Sequence, residues 1–206
     1  MQGEPPAHWW IDAASGAAPR AVRGLFACLV ELNPEARETA ESLDLLGALM
    51  LEDAGGEPVG DLPMPRADLS GVVAEDRVQD RVFPSPLVRQ GFSEHHIPWR
   101  SRLGGVRARR IDAWCEPGVD ARLFALDAGS GIPAHDHRGE EFTLVLDGGF
   151  FDQAGIYHRG DMAYARDGYR HKPISLPGES CLCVTVSIGG YRFSNPFMAL
   201  VERILR

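Results

Sequence analysis

The stretch His135-Asp136-His137-Arg138-Gly139-Glu140-Glu141 decides how this 206-residue chain is interpreted. His135 and His137 are two residues apart, so an extended strand would project both imidazoles from one face, about 6.6 Å apart along it. Glu141 would return to that face on the next stretch of strand. Two imidazoles and a carboxylate that converge on one point are donors that a divalent transition metal binds well. The run therefore predicts a metal site on a strand.

A fourth donor stands thirty residues after Glu141. His171 lies in Gly168-Tyr169-Arg170-His171, which follows the turn-like Gly160-Asp161. Three imidazoles and one carboxylate suit Zn(II), Fe(II), Mn(II) or Ni(II), and affinity order alone does not choose among these metals. Glu140, beside the donors, is a candidate for orienting one of them from outside the set.

The spacing of these donors and of the glycines around them resembles the two-part signature of the cupin superfamily. The layout is Gly129-x5-His135-x-His137-x3-Glu141-x6-Gly148, followed by Gly160-x7-Gly168-x2-His171. The first part matches at every defined position, whereas the second has Arg166 for the usual Pro and Ser175 for the usual Asn. The resemblance implies a double-stranded β-barrel of the jelly-roll type. It also implies that His135, His137, Glu141 and His171 hold one divalent metal, of which zinc is the expected one.

Composition and charge indicate which kinds of binding partner the chain is expected to have. Apolar residues make up 44% of the chain, which supports a core, and the formal charge is −8. Residues 1–60 hold ten acidic residues against three arginines, so the charge is concentrated there. Such an acidic chain is not expected to bind nucleic acid directly. The acidic end either meets a basic protein partner or forms a solvated helix face.

The cysteine content and the lack of a long apolar run in the sequence indicate in which cellular compartment the protein is expected. Four cysteines are few for a disulfide scaffold of this length, and Cys181 and Cys183 alternate on a predicted strand as core residues do. No apolar run approaches the 18 or more residues of a membrane-spanning helix, and the chain starts without a secretory signal. We expect a cytoplasmic protein without membrane contact.

The N-terminal part predicts two helices. Apolar residues recur at helical spacing from Val22 to Leu32, after Pro19 near the first turn. Asn33-Pro34 then interrupts, because Asn is a strong N-cap and Pro suits the first helical position. A second amphipathic run continues to Met50 and ends near Gly55-Gly56. Such a hairpin is too small to bury its apolar faces alone, so it must pack on the rest of the chain, a second copy or a partner.

The C-terminal part predicts short strands separated by turns such as Asp147-Gly-Gly149 and Gly189-Gly190. The predicted strands are Trp99-Arg100, Val106–Ile111, Ala121–Leu126, Glu141–Leu146, Asp161–Ala165 and Cys181–Ile188. The predicted fold class is therefore α+β, mainly β. Its predicted division is a helical domain over residues 1–56, a Pro- and Gly-rich linker over 57–84, and a metal-binding cupin domain over 85–206.

An acidic helical hairpin followed by a cupin-like domain resembles the ChrR-type anti-sigma factors. The most telling segments are His135–Gly148, His171 with Cys181-Leu-Cys183, and Leu43–Glu52. In that family the N-terminal helices sequester an extracytoplasmic-function sigma factor. The cupin domain takes part in its release under oxidative stress. The resemblance implies a sigma factor as partner, contacted here through Leu25, Phe26, Leu29 and Leu32.

One family motif is missing from the N-terminal half. Zinc-binding anti-sigma factors carry His-x3-Cys-x2-Cys at the helix break, where this chain has Leu29-x3-Asn33-Pro-Glu-Ala36. The N-terminal domain must therefore fold without zinc. Either the missing ligands mean that sigma binding is lost, or Asn33 and Pro34 cap the second helix in place of the metal.

Two other interpretations remain open from the sequence. The metal set could serve a cupin dioxygenase or a similar metal-dependent oxidase, with Tyr164 or Tyr169 as a general acid or base. Alternatively, because cupins commonly pair, the chain could be a homodimer whose N-terminal helices only pad the barrel. The dimer is compatible with either of the other functions.

Overall fold

The computed structural model of the protein describes residues 5–53 and 80–193. Its helices are α1 (Ala7–Ser15), α2 (Arg20–Leu32), α3 (Pro34–Asp53) and the single-turn α4 (Ser85–Val88). The predicted helix pair on either side of Asn33-Pro34 is confirmed as α2 and α3. Helix α1 was not among the predictions, because nine residues are too few to display a helical period.

Within residues 80–193 ten strands follow, all of them in antiparallel pairs. The main sheet runs β1-β2-β3-β9-β5-β6, β7 and β8 also pair with β5, and β4 pairs separately with β10. Among these residues the hydrogen-bonded path stays open at β1 and β6. The strands are β1 (Ser101–Leu103), β2 (Val106–Arg110), β3 (Val119–Leu126), β4 (His135–His137), β5 (Glu140–Phe151), β6 (Ile156–His158), β7 (Met162–Ala165), β8 (Ile174–Ser175), β9 (Cys181–Ile188) and β10 (Tyr191–Phe193).

The longer predicted strands are confirmed as β2, β3, β5, β7 and β9. The strand predicted at Trp99-Arg100 is wrong, because these two residues precede β1 without strand structure. Strands β6, β8 and β10 were not predicted, since two or three residues cannot display an alternating pattern.

Alternation along the central strands gives the main sheet two different faces. On β5, Phe142 and Leu144 belong to a core shared with the helices, whereas Val145 lies in a second apolar cluster on the other face. On β9, Val184 packs toward the helices and Cys183 toward the second cluster. The helices therefore cover one face of the sheet, and the other face lines the interior of the β domain.

Helices α1 and α2 dock on that outer face through aromatic and aliphatic side chains. The Phe142 ring lies 5.3 Å from Trp9 and 6.0 Å from Phe26, both in edge-to-face geometry. Gly24 of α2 permits a close approach, since a Cβ there would lie 2.6 Å from the Trp114 ring. The helices are thus part of the same hydrophobic core as the sheet.

Asn33 connects the helical hairpin in two directions. Its Oδ1 accepts a hydrogen bond of 3.0 Å from the Ala36 N–H, which caps the start of α3, as predicted. Its Nδ2 donates a bond of 3.1 Å to the carbonyl of Gly160 in the loop before β7. One side chain therefore both begins a helix and holds the hairpin against the β domain.

The described residues also bear on the cysteines, on membrane-spanning helices and on the domain boundaries. Cys181 and Cys183 are buried and free, as the core interpretation predicted. Within the described ranges, no helix has the length and apolarity needed to span a membrane. The division at residues 56 and 84 stays a prediction, since residues 54–79 lie outside the described residues. Phe83, assigned to the linker, is buried in the shared core.

Candidate metal centre

The four predicted donors come together from three segments of the β domain. His135 and His137 lie on β4, Glu141 lies on β5, and His171 lies in the loop before β8. His135 and His171 exchange two backbone hydrogen bonds of 3.1 and 3.0 Å, which brings the two parts of the motif side by side. All four side chains are buried.

The donor atoms are separated by distances typical of a coordination shell. The Nε2 atom of His171 lies 3.0 Å from Nε2 of His137 and 3.1 Å from Nε2 of His135. Glu141 Oε1 lies 3.6 Å from Nε2 of His171 and 3.9 Å from Nε2 of His137. Donors about 2.1 Å from one ion stand roughly 3 to 3.5 Å from each other. Donor atoms of the four residues all lie within 4.8 Å of one another.

Hydrogen bonds at the Nδ1 atoms of His135 and His171 show whether the four donor residues suit a cation. His135 Nδ1 lies 2.9 Å from the Pro133 carbonyl, which can only accept, so Nδ1 carries the hydrogen and Nε2 presents a lone pair. His171 Nδ1 lies 2.9 Å from Asp152 Oδ2 in the same way. Two facing lone pairs at 3.1 Å repel each other unless a positive charge stands between them. The donor set therefore fits a metal ion and could bind one.

The pKa values describe how the same cluster behaves as a set of acids and bases. Burial lowers the pKa of His135 to about 4, and it also lowers the pKa of His137. Both residues therefore favour the neutral form that ligates metals. Burial opposes charge on Glu141 too, but His137 and His171 outweigh it and lower its pKa to about 2. Burial also opposes charge on His171, yet hydrogen bonds to Asp152 and Glu141 raise its pKa to about 9. Without metal, a proton on His171 supplies the positive charge that the cluster requires.

Asp152, the residue that follows β5, orients His171 and was not among the predicted site residues. Its carboxylate is nearly inaccessible, with 2% of the side chain exposed. Burial raises its pKa, but the hydrogen bond and charge of His171, together with hydrogen bonds from the backbone of Ala154 and Gly155, outweigh burial and lower the pKa overall. A carboxylate behind a ligating imidazole fixes the ring and increases its basicity.

We expect Asp152→Ala to weaken metal binding by about 10- to 100-fold, because His171 loses the partner that holds its ring. Competition with a chromogenic chelator measures this change. Asp147→Ala is the control, since Asp147 is an exposed carboxylate on β5, the strand that leads to Asp152. Equal affinity in the Asp152 variant and the wild type would show that the orientation of His171 does not depend on this carboxylate.

The other polar candidates have different surroundings. Glu140 does not face the donors: it accepts hydrogen bonds from the Tyr164 hydroxyl and, at 3.2 Å, from the Trp9 indole N–H. The Tyr169 ring lies 5.4 Å from the His171 ring. Tyr164 is thus engaged with the helix side of the sheet, whereas Tyr169 lies beside the metal set.

The chain is similar to a known protein over nearly its full length. It is 30% identical over 199 residues to the anti-sigma-E factor ChrR of Cereibacter sphaeroides, and the alignment covers 94% of this chain and 92% of that protein. This chain belongs to the ChrR family. The predicted resemblance is thereby confirmed, and it extends over both the helices and the β domain.

Two further comparisons agree with membership of the ChrR family. Residues 89–188 match the ChrR cupin-like domain, which confirms the cupin fold of the β domain. The structure also matches the crystal structure of Rhodobacter sphaeroides SigE in complex with the anti-sigma ChrR, with a TM-score of 0.72 and 28% identity. That match covers 91% of this chain and 99% of the other. The dioxygenase alternative is not favoured by these similarities.

At the helix break this ChrR-family chain has apolar packing where the zinc-binding motif was found to be missing from its sequence. Leu29 and Ala36, which occupy two of the missing ligand positions, are buried, and Asn33 provides the cap. The hairpin therefore holds its shape through the shared core and one side-chain cap, within the residues described.

The residues predicted to contact a partner lie inside this ChrR-family fold. Leu25, Phe26 and Leu29 are buried in the shared core, and Leu32 is half-buried against it. Their direct role in partner binding stays a prediction. The exposed apolar side chains of the hairpin are instead on α3, namely Leu45, Leu46, Leu49, Met50 and Leu51.

Proposed function

We propose that this chain is an anti-sigma factor that sequesters an extracytoplasmic-function sigma factor through its N-terminal helices. The cupin domain then serves as a metal-binding sensor of oxidative stress. The observation that carries the proposal is the likeness to ChrR over 94% of the chain, which includes the helices as well as the cupin. A cupin likeness alone would not favour a regulatory role.

Among the described residues, the second half of α3 is the surface that best suits a protein partner. Leu45, Leu49 and Met50 expose 63%, 54% and 66% of their area. Exposed apolar side chains on neighbouring turns form the centre of many protein interfaces. Acidic residues of the same helix, among them Glu38 and Glu41, would steer a basic partner such as a DNA-binding sigma factor.

A physical connection between metal centre and helices runs through β5. Glu141 points inward to the donor set, while its neighbours Glu140 and Phe142 point outward and contact Trp9 of α1. Adjacent residues of one strand cannot move independently. A change at the metal set that displaces Glu141 would therefore shift the surface on which α1 rests.

We propose zinc as the metal, because three imidazoles and a carboxylate suit it and a sensor that only binds its ion needs no redox chemistry. A protein that binds a sigma factor works where RNA polymerase is, in the cytoplasm. The possible homodimer stays a prediction.

The test of this function is binding of the full-length chain to the sigma factor encoded alongside it. Size-exclusion chromatography and isothermal titration calorimetry should give a 1:1 complex. Sigma-dependent transcription with purified RNA polymerase should fall as the chain is added. No complex with any sigma factor of the source organism would overturn the proposal.

We expect Trp9→Phe to uncouple metal binding from sigma binding, because phenylalanine keeps a ring against Phe142 but loses the bond to Glu140. The measured quantity is the ratio of sigma affinities of the zinc-loaded and zinc-free proteins. Allosteric couplings typically change affinity about 5- to 150-fold, and the variant should bring this ratio toward one. His8→Ala is the control, since His8 is an exposed neighbour on the same helix. A ratio that stays at the wild-type value in Trp9→Phe would contradict the route through α1.

A further inference from the structure

Residues 80–94, here called the strap, form a closed segment that contacts both the helical hairpin and the β domain. The Asp80 carboxylate closes it, because Oδ1 accepts hydrogen bonds of 2.9 Å from the N–H groups of Val82 and Phe83. Its Oδ2 accepts a bond of 2.8 Å from the Glu94 N–H at the other end. Since one side chain joins both ends, the strap is a compact loop that docks or detaches as one unit.

The strap contacts the helical hairpin through apolar packing and one polar contact. Phe83, Leu87 and Phe92 are buried in the core that α2 shares with the sheet. At the start of α4, the Ser85 N–H donates a bond of 2.8 Å to the Glu31 carboxylate of α2. The position of α2 on the sheet therefore depends on the position of the strap.

Arg159, in the turn between β6 and β7, holds the strap on the β domain. Its guanidinium donates hydrogen bonds of 2.8 Å to the Arg81 carbonyl and of 3.1 Å to the Val82 carbonyl. A guanidinium carries five donors in a planar fork, so it can bind several carbonyls at once. Because Arg159 is exposed, water can replace these bonds without disruption of the core.

The same guanidinium binds the irregular part of β5. It donates a third hydrogen bond to the carbonyl of Leu146, which lies at the register shift between Val145 and Asp147. A bulge of this kind leaves one residue unpaired in the ladder, and Arg159 supplies a partner for that residue. The adjoining Gly160 N–H donates a bond of 3.0 Å to the Val145 carbonyl, so the turn is fixed on the bulge.

The bulge connects this turn to the metal set. It reverses the alternation of β5, so that Asp152 faces inward and lies 2.9 Å from Nδ1 of His171. The turn also reaches the helical hairpin, because the Gly160 carbonyl accepts the bond from Asn33. One turn therefore contacts the strap, the hairpin and the bulge that directs a carboxylate toward a metal ligand.

We propose that Arg159 is a latch that couples occupancy of the metal set to docking of the strap, and so to the position of the helical hairpin. When His171 is ligated, its ring and the Asp152 carboxylate behind it are fixed, which stabilises the bulge. A fixed Leu146 carbonyl keeps the guanidinium in place for the two carbonyls of the strap. Without the ligated ring, the strap detaches more often. This inference rests on the metal-sensing part of the proposed function and adds a second route beside that through Trp9.

Hydrogen–deuterium exchange of the full-length protein, with and without zinc, tests the latch. In the wild type, zinc should slow exchange at the amides of the strap and of α2. Arg159→Met keeps the aliphatic stem but removes every donor. It should speed exchange in the strap at least about tenfold, since one hydrogen bond to a charged group contributes about that factor. In this variant zinc should still slow exchange on β4 but no longer in the strap.

Zinc affinity gives a second measurement, because coupling between two sites is reciprocal. Loss of the latch should weaken zinc binding by up to the factor by which zinc slows exchange of the strap in the wild type. Competition with a chelator measures this change. A side chain that only stabilised the fold would lower the thermal midpoint without altering the response of the strap to zinc.

Arg81→Met is the matched control, because Arg81 is an exposed arginine of the strap whose carbonyl stays in place as an acceptor for Arg159. It should behave as the wild type in exchange and in zinc binding. If Arg159→Met does not fold, Arg159→Lys takes its place. Lysine keeps the charge but lacks the planar fork, so the response of the strap to zinc should again be reduced.

Three results would overturn the inference. The first is wild-type exchange of the strap in the folded Arg159 variant. The second is a strap that zinc slows equally in this variant and in the wild type, and the third is a wild-type strap that does not respond to zinc. Absence of a complex with a sigma factor would leave all of these exchange rates unaffected, so the latch and the sigma-binding proposal fail separately.

Discussion

Alanine at both His137 and His171 is expected to abolish stoichiometric metal binding, with a loss of at least about a thousandfold in affinity. Structural zinc in a four-ligand site binds with about 10–16 kcal/mol, roughly 3 kcal/mol for each ligand. Since 1.4 kcal/mol is a factor of ten, two ligands account for about four orders of magnitude. The two remaining donors, His135 and Glu141, would leave the ion largely open to water.

Elemental analysis and chelator competition measure this loss directly. His158→Ala is the matched control, because His158 is an exposed histidine on β6 that is not in the donor set. The thermal midpoint provides a second readout: zinc should raise it in the wild type and in the control, but not in the double variant. A folded double variant that retains one zinc per chain would disprove the four-residue site.

The second large effect is expected on the sigma-binding surface. Leu45→Glu with Leu49→Glu should weaken sigma binding by at least about 100-fold, because two carboxylates one helical turn apart would replace the apolar centre of the interface. The substitutions should leave the fold intact, since both side chains are more than half exposed. Calorimetry and inhibition of sigma-dependent transcription measure the effect.

Ile156→Glu controls for the general effect of a charge on an exposed apolar side chain. A contrasting variant, Leu25→Ala, should lower the free energy of unfolding by about 2–5 kcal/mol, because Leu25 is fully buried in the shared core. Wild-type sigma affinity in the α3 double variant would exclude this face of α3 as the docking surface. Comparison of the two variants separates residues that contact the partner from residues that support the fold.

Sequence reasoning was most successful where the signal is local. The spacing of His135 and His137 depends only on the two-residue period of a strand, and the structure brings them together with Glu141 of β5 and with His171. Asn33 was similarly predictable as a cap, because capping involves a side chain and a backbone group three residues away. The apolar stripe of α2 was also correctly located as a buried face.

Sequence reasoning was less informative where a choice depended on which surfaces meet. The stripe of α2 packs against the outer face of the cupin sheet, and its role in partner binding stays a prediction. A helical period shows that one face is apolar but not what covers it. Likewise Glu140 stands next to a metal ligand in the sequence, but alternation turns it away toward Trp9.

Asp152 shows most clearly what the chain alone determined and what needed the folded molecule. The sequence by itself specified the four donors, because their spacing matches the two-part motif, whereas the fold brings them together from three segments. Strict alternation from Glu141 would put Asp152 on the outer face of β5, eleven residues later. A register shift between Val145 and Asp147 reverses the alternation, so Asp152 faces inward and reaches His171. Such a bulge arises from pairing with β9, and pairing between distant segments exists only in the tertiary structure.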